Sequence, residues 1–488
     1  MSPAAAAVSS SRSSSSRRVP NSALLRHVNR HVRILISLLI ALVAAATADA
    51  GTAPYQHFRS RPDLQPPVVR VLHTAGQTDP GFIFVAPKGE AAAAPGPMIF
   101  DNRGRLVWFR PLDTRGVTDL RVQRYDGHPV LTWWRQRPEG TGVAPWYTVT
   151  DASYRTLMIV RPVGNVLADI HEFLLTSRGT ALMTTVRHVI VDGHEVIDGG
   201  VQELDLRAKR VLLDWHSIGH VALSESYSKE PRRRDVSYDY FHVNAIDVDK
   251  DGNLLVSARN THTVYKIDRR SGRIIWRLGG KRSDFALGPR ARFAWQHDAR
   301  RLPNGLIRIF DNGAAPRWNP QTRVIYLHLD LQTKRARLVR MVVHRPPLIS
   351  INQGNAQALP RGHLLVGWGH EPYVTEYDRY GRVLLDLRFA GVLNSYRAFR
   401  YQWVGRPTGR PSTAIYRGRL YASWNGATQI AYWQLLAGPT IGAMRPVRTV
   451  SRRGFETSVP APRHAWIAVR ALDSRGRTLG ASRPLARH

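Results

Sequence analysis

An Asp, a few polar residues, an Arg and an apolar run recur six times along this 488-residue chain. The copies read IFDNRGRLVWFRPL from Ile99, VTDASYRTLMIVRPV from Val149, ELDLRAKRVLLDWHSI from Glu203, KIDRRSGRIIWRLGG from Lys266, HLDLQTKRARLVRMV from His328 and EYDRYGRVLLDLRFA from Glu376. Their anchors, Asp101, Asp151, Asp205, Asp268, Asp330 and Asp378, are spaced by 50, 54, 63, 62 and 48 residues. A period of that size holds about four short strands and one longer loop.

A second cassette falls between the anchors: DGHPVLTWW, RGTALMTTV, DGNLLVSAR, NGLIRIFDNG, RGHLLVGWG and RGRLYASWNG. Asp-Gly and Asn-Gly supply the positive φ angles of tight hairpins, and the β-branched and aromatic residues after them suit a packed strand. The unit from His242 to Leu278 parses as four strands, HVNAIDVD, NLLVSAR, TVYKID and GRIIWRL. Six hairpins alone would also suit a sandwich, but paired cassettes at this spacing favour an all-β chain built as a six-bladed β-propeller over residues 68–427. From Thr428 the cassette is lost, and TQIAYWQLLAGP, RPVRTVSRRGFETSVPAP and AWIAVRALDSRGRTLGAS predict a small immunoglobulin-like or fibronectin-like sandwich over 428–488.

Residues 1–50 read as a targeting segment. A Ser-rich stretch with Arg12, Arg17, Arg18, Arg26, Arg30 and Arg33 precedes an apolar run over residues 34–46 and then Ala48-Asp49-Ala50, a small-x-small cleavage pattern. The run is short beside the roughly 20 residues of a membrane span. Both a cleaved signal and a retained anchor fit it, and either places the chain outside the cytoplasm, secreted or membrane-anchored. Residues 51–67 are then a linker, and VVRVLHTAGQTDPGFIFVAP an opening hairpin.

There is no cysteine, which excludes disulfides, thiolate metal sites and a Cys nucleophile. The formal charge is 70 − 36 = +34, and cleavage after Ala50 would leave 34 − 6 + 1 = +29. The charge is spread along the chain and no Arg-aromatic nucleic-acid motif accompanies it, so no nucleic-acid partner is expected. The sequence leaves the oligomeric state open.

In a propeller the start of each innermost strand lines a central channel. Alignment on the turn glycines places Asp119, His171, His242 with Asn244, His297 with Asp298, Gln353 with Asn355, and Tyr396 with Arg397 near its mouth. Three histidines at one repeat position point to a base or nucleophile in a transferase or hydrolase, or less readily to a three-His metal site. No metal or other cofactor is expected. DVDKDGN from Asp247 resembles the opening of a calcium loop, but the twelfth position is Ala258, where a bidentate Glu is required, so it reads as a turn.

FHVNAIDVDKDGNLLVSARNTHTVYKIDRRSGRIIWRLGGKRSDF, WQHDARRLPNG, FDNG and QGNAQALPRGHLLVGWG together resemble the bacterial arylsulfotransferase family, a six-bladed propeller group. HEFLLTSRGTAL, GFET and VRALDSRGRTLG resemble its actinobacterial and fungal branch. The resemblance implies transfer of a sulfuryl group from a phenolic sulfate ester to a phenol, without a nucleotide sulfate donor. It implies catalytic roles for His242, His297 and Arg317, with Asn244, His171, Asn355 and Gln353 in substrate binding, and Trp295 or Trp368 beside a phenolic ring. Where the family's enzymes carry a further, nucleophilic histidine, this chain offers Gln353-Gly354-Asn355. Either His242 or His297 would then be the nucleophile, or a base would activate the acceptor for direct transfer. The alternative is a catalytically degenerate propeller that binds an anionic ligand or a cell-surface glycan.

Overall fold

Each repeat folds into one four-stranded antiparallel sheet. The computed structural model describes residues 55–89, 94–114, 116–138, 141–314 and 316–487. The expected targeting segment, with its apolar run over 34–46, lies outside them, as do the first residues of the expected linker. Among the described residues no helix is long and apolar enough to cross a membrane.

Sheet one comprises Gly116–Tyr125, His128–Gln136, Trp146–Thr150 and Thr156–Val160; sheet two, Leu167–Leu175, Thr180–Val191, His194–Asp205 and Arg210–His216. Sheet three comprises Val243–Val248, Leu254–Ala258, Thr263–Ile267 and Ile274–Gly279, and sheet four His297–Arg301, Ile307–Asp311, Arg323–Asp330 and Arg335–Val343, with Ala286–Leu287 parallel at its edge. Sheet five comprises Asn355–Ala358, Leu364–Gly367, Tyr373–Tyr377 and Val383–Phe389, and the early strand Val69–Thr74 adds to its outer edge. Sheet six joins both ends of the repeat region: Asn394–Tyr401 pairs with Phe82–Lys88, followed by Met98–Phe100 and Leu106–Phe109.

The first strands of the six sheets contact one another in sequence, and that of sheet six returns to that of sheet one. Between each neighbouring pair of sheets sits one apolar cluster. Trp134 and Tyr147 of sheet one meet Phe173 and Met183 of sheet two, and Leu182 and Val201 meet Ile246 and Val256 of sheet three. Leu255 and Leu278 meet Ile307 and Ile325 of sheet four, while Phe310 and Val324 meet Leu364 and Val366 of sheet five. Leu365 and Leu387 meet Ile83 and Phe100 of sheet six, and Phe84 and Trp108 meet Val117 and Trp133 of sheet one. Both faces of every sheet are therefore packed, which is why the strands read as short continuous apolar runs.

The Asp anchors lie in the hairpins between third and fourth strands. Asp101 Oδ1 accepts the backbone N–H groups of Arg103 and Arg105 at 2.9 and 3.0 Å, and Oδ2 receives the Arg105 side chain at 2.8 Å. Asp378 does the same for Tyr380 and Arg382, both at 2.8 Å. The cassette is thus an Asx-type turn, closed by an ion pair at Asp101, Asp151 and Asp378. Asp473 builds the same turn with Arg475 and Arg477, both at 2.9 Å, so the tail carries the device it was expected to lack.

Three further expectations require correction. The glycine-led copy RGRLYASWNG does not supply the second strand of sheet six. Arg419–Ser423 pairs with Ser412–Tyr416 and Glu456–Pro460, and Phe82–Lys88 takes its expected place. The expected boundary at 427/428 accordingly cuts through the C-terminal region. Its second sheet contains Arg445–Ser451, Tyr432–Gly438, Trp466–Leu472 and Thr478–Ala481, and Leu420, Trp433, Ile467 and Val469 form an apolar cluster common to both sheets. Finally, residues 55–67 are anchored rather than a free linker: Leu64 is buried, Phe58 packs on Phe455, and Ser60 Oγ donates to Glu456 at 2.6 Å.

Candidate active site

Sharp backbone turns at the starts of the first strands aim polar side chains at the middle of the ring. Asp119, His242, Asp298 and Gln353 all have φ between +51 and +65°, a left-handed conformation that side chains other than glycine seldom hold without a compensating role. The ring of His171 lies edge-on to His242 with centroids 4.9 Å apart; His297 is 6.4 Å and Tyr396 5.4 Å from His171. The three histidines expected to converge therefore do so, around Tyr396.

Their hydrogen bonds give them different capacities. His242 Nδ1 faces the Asp239 carboxylate, and His171 Nδ1 faces Asp169 at 2.6 Å. Burial acts to raise both carboxyl groups, but the neighbouring imidazoles hold them below the usual carboxylate range, so each accepts an Nδ1–H. This fixes the tautomer and leaves Nε2 of His242 and His171 as the lone pair. Burial also pushes the His242 imidazole down, opposed by Asp239. It is neutral at pH 7, and its side chain retains 20 % exposure.

His297 is committed elsewhere. Asn312 donates through Nδ2 to the carbonyls of Ser350 and Gln353, which turns its Oδ1 toward His297 Nδ1 at 2.8 Å. At the other side of the ring, Nε2 accepts the backbone N–H of Gln353 at 3.2 Å. Burial, with His171 and Arg259 nearby, holds this imidazole well below its ordinary pKa. His297 has no spare lone pair and braces the fold, whereas the Nε2 of His242 keeps its lone pair.

The expected binding residues divide similarly. Asn355 is fully buried, and its amide both donates to and accepts from the Ala398 backbone at 2.9 Å, stapling sheet five to sheet six. Gln357 repeats the staple two residues on with Arg400. Asn244 is also buried and donates to Gln296 O at 2.7 Å, joining sheets three and four. Gln353 positions His297 through its backbone, and its side-chain amide bonds Asn352 at 2.7 Å. A Cβ on Gly354 would come within 2.3 Å of the Phe310 ring, so no histidine could occupy that position in this packing.

Arg317 lies on the surface and donates to the carbonyls of Asn319, at 3.2 Å, and Pro320. Arg259 stands beside His242, 3.8 Å from Asp239 and 5.8 Å over the Trp295 ring, and Lys88 lies 5.8 Å over the Tyr396 ring. Burial pulls the Lys88 amine down to about 8. Lys88 escaped notice in the sequence because it belongs to the early strand that completes sheet six, more than 300 positions from its pairing partner Asn394. Arg259 carried a signal, since it ends the run LLVSAR at the same end of sheet three as His242. Of the two tryptophans, Trp295 adjoins the site, whereas Trp368 is core against Phe310 and His344.

Beneath the histidines lies an ionic floor. Glu172, wholly buried, meets Arg121 at 2.7 Å and Arg397 at 3.1 Å as well as Arg300; Asp119 joins Arg121 at 2.6 Å and Arg397 at 3.1 Å. Burial would raise the Glu172 carboxyl, but Arg300, Arg397 and Arg121 overcome it and hold the group strongly ionised. This network closes the ring centre with paired charge.

A three-histidine metal site does not form here, because His297 has both nitrogens engaged within the fold. Asp79, in the connection before Phe82–Lys88, His363, in the turn before Leu364–Gly367, and Glu376 of sheet five do lie within ligand distance of one another. Arg400, however, ion-pairs Glu376 at 2.7 Å and His363 Nδ1 approaches Asp79 at 2.9 Å, so this cluster already holds cationic and donor partners of its own. The calcium-like turn is similarly filled: Lys266 and Arg301 meet Asp249, and Lys266 meets Asp251.

A model of the arylsulfotransferase (ASST) family matches residues 121–390, more than half of the chain. The chain belongs to the arylsulfotransferase family, whose reaction in general takes an aryl sulfate donor and a phenol acceptor. No curated protein matches it. Among solved structures it is similar to a protein of unknown function from Bacteroides caccae, with 15% identity, coverage of 66% of this chain and 98% of that one, and a TM-score of 0.41. It is also similar to a putative 6-phosphogluconolactonase from Bacteroides fragilis, with 10% identity, 79% and 99% coverage and a TM-score of 0.36. A catalytically inactive virginiamycin B lyase from Staphylococcus aureus shows 8% identity, 73% and 96% coverage and a TM-score of 0.34.

Proposed function

We propose that the chain is an exported aryl sulfotransferase that moves a sulfuryl group between phenols through a covalent intermediate on His242. Six sheets whose first strands follow one another around a ring support a six-bladed propeller. The two C-terminal sheets with a common apolar cluster support a sandwich. The export reading rests on the charged, apolar and small-residue pattern of residues 1–50, and amino-terminal sequencing of the mature protein tests it.

One observation supports the chemistry above all: two carboxylate-backed imidazoles, Asp239–His242 and Asp169–His171, meet edge-on 4.9 Å apart. One can act as nucleophile and its neighbour as proton carrier. His242 Nε2 attacks sulfur, an N–S bond forms, the ester S–O bond breaks and the phenolate leaves; the proton that the His171 Nε2 lone pair takes up in the next step returns to solvent. In the second half-reaction His171 accepts the proton of the incoming phenol, whose oxygen attacks sulfur as the N–S bond breaks. Asp239 stabilises the positive charge that grows on His242, while Arg259 and Lys88 offset the negative charge on the sulfuryl oxygens.

The test is release of 4-nitrophenolate from 4-nitrophenyl sulfate with and without added phenol. Acceptor-dependent release that His242→Ala abolishes supports transfer. No release by the intact protein favours the degenerate, ligand-binding alternative, which the missing family histidine at Gln353-Gly354-Asn355 also suits.

A further inference from the structure

Beyond Trp295, on the side away from His297, the chain forms a cavity of about 430 Å³ lined by Tyr227, His262, Lys281, Phe285, Arg292 and Trp318 among others. The tight turn after Leu254–Ala258 carries His262 at φ +51° and drives its ring inward. Tyr227 stacks on that ring at 4.1 Å, and Trp318 and Trp295 meet it edge-on at 4.8 and 4.9 Å.

Two independent features point to a ligand. His262 is 1 % exposed, yet neither ring nitrogen has a hydrogen-bond partner among the described residues. A buried polar ring without a partner costs free energy that a bound donor or acceptor would recover. Separately, Trp318 leaves 42 % of its surface in solvent beside Arg292 and Lys281, and none of the cavity-lining residues is acidic. Lys281 Nζ donates to the carbonyls of Ser224, at 2.9 Å, and Ser226, so the aromatic wall carries two cations and no carboxylate among its lining residues, which suits a flat ring that carries an anionic group. One residue separates this cavity from the histidines: the Trp295 ring borders His262, while its carbonyl faces His297 Nδ1 at 3.2 Å.

We propose that this cavity is an aryl-anion subsite, in which an aromatic ring bearing a sulfate, sulfonate or carboxylate rests on Trp318 with its charge toward Arg292 and Lys281. The ring meets Trp318, and a polar group of the ligand meets His262. The further assignment, that this ring belongs to the acceptor or to the product leaving the histidines, rests on the transfer reading above; the binding itself does not.

Naphthalene-2-sulfonate is a suitable probe because its carbon–sulfur bond does not undergo sulfuryl transfer. Calorimetry should show it bound by the full chain. Trp318→Ala and Arg292→Gln should each weaken it tenfold or more, Trp318→Phe should restore most of the affinity, and His242→Ala should leave it within twofold. Turnover by Trp318→Ala should show a raised acceptor KM with kcat unchanged. No binding by the intact protein, binding unaltered in Trp318→Ala, or binding that His242→Ala removes and Trp318→Ala leaves would overturn the subsite. Sulfonate binding with the predicted mutant pattern, but no turnover of any aryl sulfate, would uphold the subsite and refute only the transfer reading.

Discussion

His297 accepts the backbone N–H of Gln353 on Nε2 at 3.2 Å while its Nδ1 faces Asn312 Oδ1, so the ring is a buried brace between sheets four and five. His297→Ala would strand both partners. The expected cost is about 2–6 kcal/mol, from about 1–3 kcal/mol for each unpaired buried group, read by denaturant unfolding. Turnover in the fraction that folds should fall but persist, whereas abolition in a fully folded variant would make His297 a reacting group.

Asn355 offers the contrasting case of an expected binding residue that the fold employs as a staple. Asn355→Ala should destabilise the protein by about 2–6 kcal/mol, because the Ala398 N–H and C=O both lose their partner. Donor KM should change less than twofold. A raised KM with unaltered stability would return Asn355 to the substrate.

The pH profile follows from His242. Burial lowers its pKa below the ordinary 6.5 and Asp239 opposes that, so the neutral nucleophile persists below pH 6.5 and activity falls only on further acidification. Asp239→Asn removes the raising influence. Its acid limb should move to still lower pH while kcat drops on the order of 10²–10⁴-fold, as when a histidine loses its orienting carboxylate. A limb that moves to higher pH contradicts the pairing.

Glu172 tests the ionic floor. Its folded pKa lies below the ordinary 4.5, so its contribution to stability is fully present above about pH 4.5 and is lost as pH falls through the folded value. Glu172→Gln leaves Arg121, Arg300 and Arg397 short of counter-charge, with an expected loss of about 3–5 kcal/mol at pH 7. The acid dependence of unfolding should flatten in the same variant. An unchanged slope between pH 5 and 3 would show that Glu172 does not couple folding to protons.

Much of this arrangement was written locally. The Asp101-type turns, the glycine-led strands and the convergence of His171, His242 and His297 follow from short-range patterns, because hairpin register fixes which side chains reach the ring centre. What escaped was long-range: Phe82–Lys88 closes sheet six against Asn394–Tyr401, and no local pattern announces a partner more than 300 positions away. That pairing brought Lys88 to the site and moved Arg419–Ser423 out of the expected ring. Roles were harder than positions. Asn355 and His297 stand where the repeats put them, but only their hydrogen bonds show that they brace the fold, and Arg317 looked functional from its place after Phe310-Asp311-Asn312-Gly313 although its guanidinium serves its own loop.

The most direct test of His242 as nucleophile is peptide mass mapping after a rapid acid-free quench with 4-nitrophenyl sulfate and no acceptor. The predicted result is one added SO₃ group on His242, lost when phenol is supplied and absent in Asp239→Asn at early times. An adduct on His171 or His297, or acceptor-dependent turnover with no adduct at any time, would contradict it.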